Sequence, residues 1–295
     1  ELLQSLLAYT RGVGVDTRWV VIGGRPDFFT VTKRLHNHLH GAPGDGGDLG
    51  HPEREIYELA LAPAAKELAS RVRSDDVVFL HDPQTAGMVG PLRETGAVVV
   101  WRCHVGLDLP NAIARGAWDF LRPYVADADA YVFSRREFVW DGLDEERIWL
   151  VAPSIDAFSP KNQALDQGAV RAILQRVGLG DGRRHRAPSF VRQDGTPGRV
   201  DRSGELHQDG PVPEEATLIS QVSRWDALKD PVGVLRGFAG ALAGERDVHL
   251  LLVGPSVTAV ADDPEGAGVL AEVIAARDEL TPELRGRTRL ACVPM

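Results

Sequence analysis

Short apolar, β-branched runs alternate with helical patterns along this chain, and that alternation restricts the fold more than any other feature. The runs are "TRWVVIGG" (17–24), "DVVFLHDP" (76–83), "AVVVWRCH" (97–104), "AYVFSR" (130–135) and "RIWLVAPSID" (147–156). Most are separated by stretches such as "IYELALAPAAKELASRV" and "GAWDFLRPYVADA", whose apolar residues recur at helical spacing. Strands alternating with helices predict an α/β fold built on a doubly wound, mainly parallel sheet. Ligands bind such sheets beyond the carboxyl ends of the strands. Here those ends carry "HDPQ", "RCH" and "SRRE".

A second series follows: strand "TLISQVSRW", helix "DPVGVLRGFAGALAG", strand "DVHLLLVGP", helix "GVLAEVIAARDEL" and strand "RTRLACVPM". Two Rossmann-like lobes in series are therefore expected, with a cleft between them. The first covers 1–165, a helix and flexible insertion cover 166–216, and the second lobe starts at 217 and runs to 295. Within the middle segment "AVRAILQRVGL" (169–179) reads as a helix, whereas 181–216 is rich in Gly, Pro, Arg and Asp without apolar periodicity and reads as a long loop. The Leu2, Leu3, Leu6, Leu7 stripe opens with neither an initiating Met nor an N-cap, and the last residues are an apolar run. Residues upstream are expected, and the second lobe is expected to be incomplete.

The length of 295 residues suits two domains, and 43% hydrophobic with 25% charged residues is ordinary globular composition. A formal charge of −9 argues against broad binding of nucleic acid or anionic membrane. The two cysteines, Cys103 and Cys292, form neither a disulfide framework nor a metal-ligand spacing. With no secretion signal and no apolar run near the roughly 18 residues a membrane span needs, a soluble cytoplasmic protein is expected.

Against this acidic background, "QVSRWDALKDP" (221–231) places Arg224 and Lys229 between a strand and a helix. Asp230 is a good N-cap and Pro231 a good first helical residue. Both cations can then join the unpaired backbone N–H groups of the helix start in an anion site suited to a phosphate or diphosphate. Pairing with Asp226 and Asp230 as solvated loop charges is the competing reading.

"QVSRWDALKDPVGVLRGFA" resembles the start of the C-terminal lobe in retaining, nucleotide-sugar-dependent glycosyltransferases of the GT-B fold, where a strand–Arg–loop–Lys–helix element holds the donor diphosphate. "FFTVTKRLHNHLHG" (28–41), "FLHDPQTAGM" (79–88), "WRCHVGLDLPN" (101–111), "FSRREFV" (133–139) and "APSIDAFSPKN" (152–162) resemble the trehalose synthase branch, which transfers glucose from a nucleoside diphosphate to glucose. The likeness runs over nearly the whole chain except 181–216.

The resemblance implies a GT-B-like fold, with the first lobe on the acceptor side and the second binding the nucleotide sugar. It assigns Arg224 and Lys229 to the donor diphosphate, His104 to the transferred sugar and Arg102 to the acceptor or the donor phosphate, the last two as the catalytic pair. His81 and Asp82 are expected to hydrogen-bond the acceptor sugar, with a capped turn as the equal alternative. Ser134 and Arg135 join the same sugar site, although Ser134 could instead cap a helix "RREFVW". Lys33 and His36 are expected to shape the acceptor pocket; the His36, His38, His40 series is a weaker zinc signal. Trp101, Trp118, Trp140 and Trp149 are expected in the core, and Trp225 is a candidate for stacking on sugar. The glycine-rich loop and the two later glutamates of the family have no counterpart in these residues.

No cofactor and no metal are required by this scheme, and the nucleoside-diphosphate glucose is a substrate. Expected partners are small-molecule sugars and a nucleotide sugar, with no nucleic acid and no membrane; a homodimer stays open. The rivals are a trehalose phosphorylase using glucose 1-phosphate or phosphate, a non-catalytic bilobal sugar-binding protein, and a nicotinamide oxidoreductase, whose Gly-x-Gly-x-x-Gly spacing "GG" at 23–24 does not match.

Overall fold

The computed structural model describes residues 2–155, 162–180, 187–192, 195–257 and 265–294, and the chain divides into two units, Glu1–Ile155 and Asp156–Met295. Part of "APSIDAFSPKN" (156–161) and the start of the expected insertion (181–186) lie outside the described residues.

The first unit runs α1 (Leu2–Gly12), α2 (Pro26–Leu39), α3 (His51–Ala69), β1 (Val77–His81), a 3-10 turn (Pro83–Met88), α4 (Val89–Arg93), β2 (Val98–Cys103), α5 (Ala112–Val125), β3 (Ala130–Phe133) and β4 (Ile148–Leu150). Its four strands pair in parallel in the order β1-β2-β3-β4, with His81 opposite Arg102 and Cys103 opposite Phe133. That register brings "HD" and "RCH" side by side at one edge of the sheet. α5 starts at Asn111, whose side chain accepts the Ala114 N–H, and buries Ala114, Ala117, Trp118, Leu121 and Val125 along one stripe. Trp118, Trp101, Phe133 and Trp140 pack there ring against ring in a single core.

Two expectations for this unit are corrected. "TRWVVIGG" is not a strand: residues 17–24 join no ladder, and Trp19, Val20 and Val21 are exposed. β-Propensity alone leaves backbone N–H and C=O groups without partners, and a strand forms only against another strand. Trp149 is not core either, being 64% exposed on the short outer strand β4.

The second unit contains α6 (Gln167–Val177), a hairpin of β5 (Ser189–Val191) with β6 (Pro197–Arg199), β7 (Glu205–His207), β8 (Thr217–Val222), α7 (Pro231–Ala241), β9 (Val248–Pro255), α8 (Gly266–Asp278), α9 (Pro282–Gly286) and β10 (Thr288–Val293). The sheet order is β7-β10-β9-β8, with β8, β9 and β10 parallel and β7 antiparallel. The stretch 181–216 is therefore more than an insertion, because β7 lies within it and extends the main sheet. Charge rather than hydrophobicity anchors the chain after β7. Asp209 pairs with Arg277 at 2.7 Å and Arg285 at 2.9 Å, and the buried Arg289 donates to the Gly210 and Pro211 carbonyls. A periodicity search does not register anchors of that kind. No helix among the described residues is long and apolar enough to cross a membrane.

Candidate active site

At the carboxyl end of β1 the chain turns sharply at Asp82, whose φ of 65° and ψ of 177° fall in a region that side chains other than glycine rarely adopt. Holding a residue there costs about 1–3 kcal/mol, so the surroundings must impose it. They do so from several directions. The Asp82 N–H donates to the Arg102 carbonyl at 2.7 Å, extending the β1–β2 ladder. Its own carbonyl accepts the Trp101 indole N–H at 3.1 Å and the Thr85 N–H at 3.2 Å, and the Thr85 hydroxyl donates to the His81 carbonyl at 2.7 Å.

The turn aims the Asp82 carboxylate at His104, just beyond the end of β2. Asp82 Oδ1 lies 2.6 Å from His104 Nδ1 and accepts the His104 backbone N–H at 3.2 Å. Burial pushes the Asp82 carboxyl up, but the His104 hydrogen bond and the His104 and Arg102 charges outweigh it and hold the group below the usual carboxylate range. An ionised carboxylate only accepts hydrogen bonds, so the proton of this contact sits on His104 Nδ1. The ring is half-exposed, and Asp82 less so.

His81 and Arg102 sit opposite each other in the ladder, both half-buried. Burial lowers the His81 pKa; the Asp82 carboxylate opposes this, while the Arg102 and His104 charges add to it. The strand ends thus bring together His81, Asp82, Arg102 and His104, four of the expected site residues. Arg135, after β3, is exposed and pairs with Asp108 at 3.2 Å, on the loop that follows His104, and with Glu137 at 3.1 Å. Ser134 is half-buried and caps nothing, because "RREFVW" forms only a 3-10 turn, Arg136–Phe138, with Arg135 at its cap position. Lys33 is buried and His36 half-buried on α2, where the His36 ring meets His40 edge-on at 4.9 Å. The end of α2 is tied to the loop after His104 by the Asn111 amide, which donates to the Gly41 carbonyl at 2.8 Å.

The second element is the turn after β8. Asp226, 1% exposed, accepts the Leu228 N–H at 2.9 Å and pairs with Arg224 at 3.2 Å, which starts the 3-10 turn Ala227–Lys229. Asp230 follows in the left-handed region, φ 46°, and its carboxylate accepts the Gly233 N–H at 2.9 Å as the N-cap of α7. Gly233 makes room for that cap, since a Cβ there would overlap the Asp230 carboxylate. The turn is closed by the Gln221 amide, which donates to the Lys229 carbonyl at 2.8 Å. Arg224 and Lys229 are both exposed on it.

Trp225 between them is not available to a sugar. It is 3% exposed, packs in the core of the second unit, and its indole N–H donates to the Pro255 carbonyl at 2.9 Å. Its ring fills the space over Gly254, where any Cβ would lie 2.4 Å from it.

Residues 1–140 match the family model described as trehalose synthase, N-terminal domain. The whole-chain comparisons agree with that family. The chain is 34% identical over 269 residues to the trehalose synthase of Rubrobacter xylanophilus and 32% identical over 266 residues to that of Pyrococcus horikoshii. Each match covers 90% of this chain and 54% of the relative, so the chain spans about half the length of these trehalose synthases. A trehalose phosphorylase of Pleurotus sajor-caju is 24% identical over 178 residues, covering 55% of this chain and 23% of that one. Among solved structures, a trehalose-6-phosphate synthase studied with bisubstrate glycomimetics superposes with a TM-score of 0.62 at 12% identity, covering 99% of this chain and 70% of that one. The α,α-trehalose-phosphate synthase of Burkholderia xenovorans, solved with glucose-6-phosphate, gives 0.59 at 13% identity, covering 90% and 60%. These likenesses establish the fold: α/β, GT-B-like, with mainly parallel sheets.

Sequence reasoning missed Tyr57, Thr85 and the hydrogen-bonding role of Trp101, all of which hold the turn at Asp82. The Asp-Pro step after an apolar run signals that turn, but not the residues from elsewhere that brace it.

Proposed function

We propose that the protein containing this chain is a retaining hexosyltransferase that moves glucose from a nucleoside-diphosphate glucose to glucose, forming α,α-trehalose. The observation that carries the reading is the Asp82–His104 pair, held in strained geometry at adjacent strand ends, where a sheet of this kind binds its ligand. Asp82 fixes the His104 tautomer and orientation, so that Nε2 accepts a hydrogen bond from a sugar hydroxyl. His81, kept neutral by burial, and Arg102 complete the polar rim for the sugars. Arg224 and Lys229 supply fixed positive charge to the departing diphosphate, the place where preorganised electrostatics lowers the barrier most. The acceptor hydroxyl attacks the anomeric carbon on the face that the diphosphate leaves, its O–H proton passing to the departing phosphate oxygen as the carbon–oxygen bond to the diphosphate breaks. Neither step calls on a metal ion or a cofactor.

The test is direct. The intact protein is incubated with glucose and UDP-, ADP- or GDP-glucose, and in parallel with glucose and glucose 1-phosphate. Trehalose and free nucleoside diphosphate are expected in the first reaction. Trehalose only from glucose 1-phosphate, with release of phosphate, would move the reading to a trehalose phosphorylase; product from neither would leave a sugar-binding protein.

A further inference from the structure

Tyr57 lies on α3, twenty-five residues before Asp82 in the chain, and is completely buried. Its ring packs against Phe28 at 5.8 Å, Phe120 at 5.8 Å and Tyr124 at 5.2 Å. A phenylalanine would make the same ring contacts, so packing does not account for the hydroxyl. Burying a hydroxyl is unfavourable unless its hydrogen bonds are made. Here both are. The hydroxyl donates to the Pro83 carbonyl at 2.5 Å and accepts the Gly87 N–H at 3.0 Å. Burial pushes the phenol pKa far up, so the group stays protonated and can donate and accept at once.

Both partners belong to the 3-10 turn that leaves Asp82. Tyr57 therefore spans the turn from behind, from Pro83 to Gly87, while Thr85 and Trp101 hold it from the strand side through the His81 and Asp82 carbonyls. A backbone placed where only glycine is comfortable relaxes unless such contacts prevent it. We propose that Tyr57 is a positioning residue: its hydroxyl fixes the Pro83–Gly87 turn and, through it, aims the Asp82 carboxylate at His104. The kinetic part of this proposal rests on the glycosyl-transfer reading given above; the structural part does not.

The experiment keeps the two apart. In the intact protein labelled with 15N-histidine, the short Asp82–His104 hydrogen bond gives a downfield Nδ1 proton that Asp82→Asn identifies by its loss. Tyr57→Phe is expected to move or broaden that resonance, to lower kcat by about 10-fold to 100-fold through misplacement alone, and to leave KM for the nucleotide sugar unchanged. Thr85→Val removes the second brace and is expected to act in the same direction, with Thr85→Ser restoring both signals. A folded Tyr57→Phe protein that melts earlier but keeps the wild-type resonance and kcat would reduce Tyr57 to a core residue and overturn the proposal. Should Tyr57→Phe fail to fold, an unchanged resonance in Thr85→Val overturns it equally. If the wild type transfers no glucose, the functional reading falls while the resonance still decides the role of Tyr57.

Discussion

Asp82 and Asp230 stand at similar points of the two units, each after the carboxyl end of a parallel strand and each directly before a proline. Among the described residues they are the non-glycine positions with positive φ. Their carboxylates have different partners. Asp230 turns back onto its own segment and caps α7 through the Gly233 N–H. Asp82 makes no side-chain cap to the turn it starts, and its carboxylate goes to His104 on the neighbouring strand. The strain at Asp230 is offset by a helix cap, a device of folding. At Asp82 the strained residue's carboxylate instead meets an imidazole that is half open to solvent. Backbone strain alone does not tell the two outliers apart; the partners of their carboxylates do.

Four measurements break or sharpen this comparison. The largest effect is expected at Trp225, which sits between Arg224 and Lys229. Trp225→Ala removes a buried ring from the second core and should destabilise that unit by about 3–5 kcal/mol in a denaturant titration. Trp225→Phe should keep most of the stability and normal donor use, which a sugar-stacking tryptophan would not allow. Next, Arg224→Ala with Lys229→Ala should lower kcat/KM for the nucleotide sugar by about 100-fold to 1000-fold, with melting temperature and acceptor KM unchanged. Unaltered donor kinetics would leave the turn after β8 as a purely structural cap.

Asp230→Gly exchanges a cap for relief of the left-handed backbone and should change stability by only a few tenths of a kcal/mol. A clear loss of stability there would mean that the carboxylate does more than cap. The smallest effect is a pH dependence. His81 and His249 both have depressed pKa values, mainly from burial, and His249 Nδ1 accepts from the Arg289 guanidinium at 2.8 Å. In the unfolded chain both take up protons near pH 6.5, while the folded protein resists. Stability should therefore be full above about pH 6.5 and decline as the pH falls below it. A melting temperature that rises on acidification through this window would contradict the environments described.

Much of the molecule was legible in the sequence, for identifiable reasons. The four strands of the first sheet and the parallel strands of the second followed from apolar runs bounded by turn residues, and Asp230 and Pro231 marked the start of α7 correctly. "TRWVVIGG" misled because composition reports a preference for strand but not the presence of a neighbour to pair with. β7 was hidden because the segment after it is anchored by ion pairs of Asp209 with Arg277 and Arg285 and by Arg289 donating to the Gly210 and Pro211 carbonyls, all from residues far along the chain. His81, Asp82, Arg102 and His104 could each be named as strand-end residues, yet their juxtaposition depends on the β1–β2 register, which no local pattern encodes. The bracing of Asp82 by Tyr57 and Trp101 is likewise a tertiary fact.

The central claim is that the strain at Asp82 is kept for the sake of His104. Asp82→Gly tests it, with melting temperature and glucose transfer measured on the same preparation of the intact protein. Glycine relieves the backbone and loses the carboxylate, so stability should stay within about 1 kcal/mol of wild type, while transfer falls by about 100-fold or more. A glycine variant that transfers glucose at the wild-type rate would contradict the account.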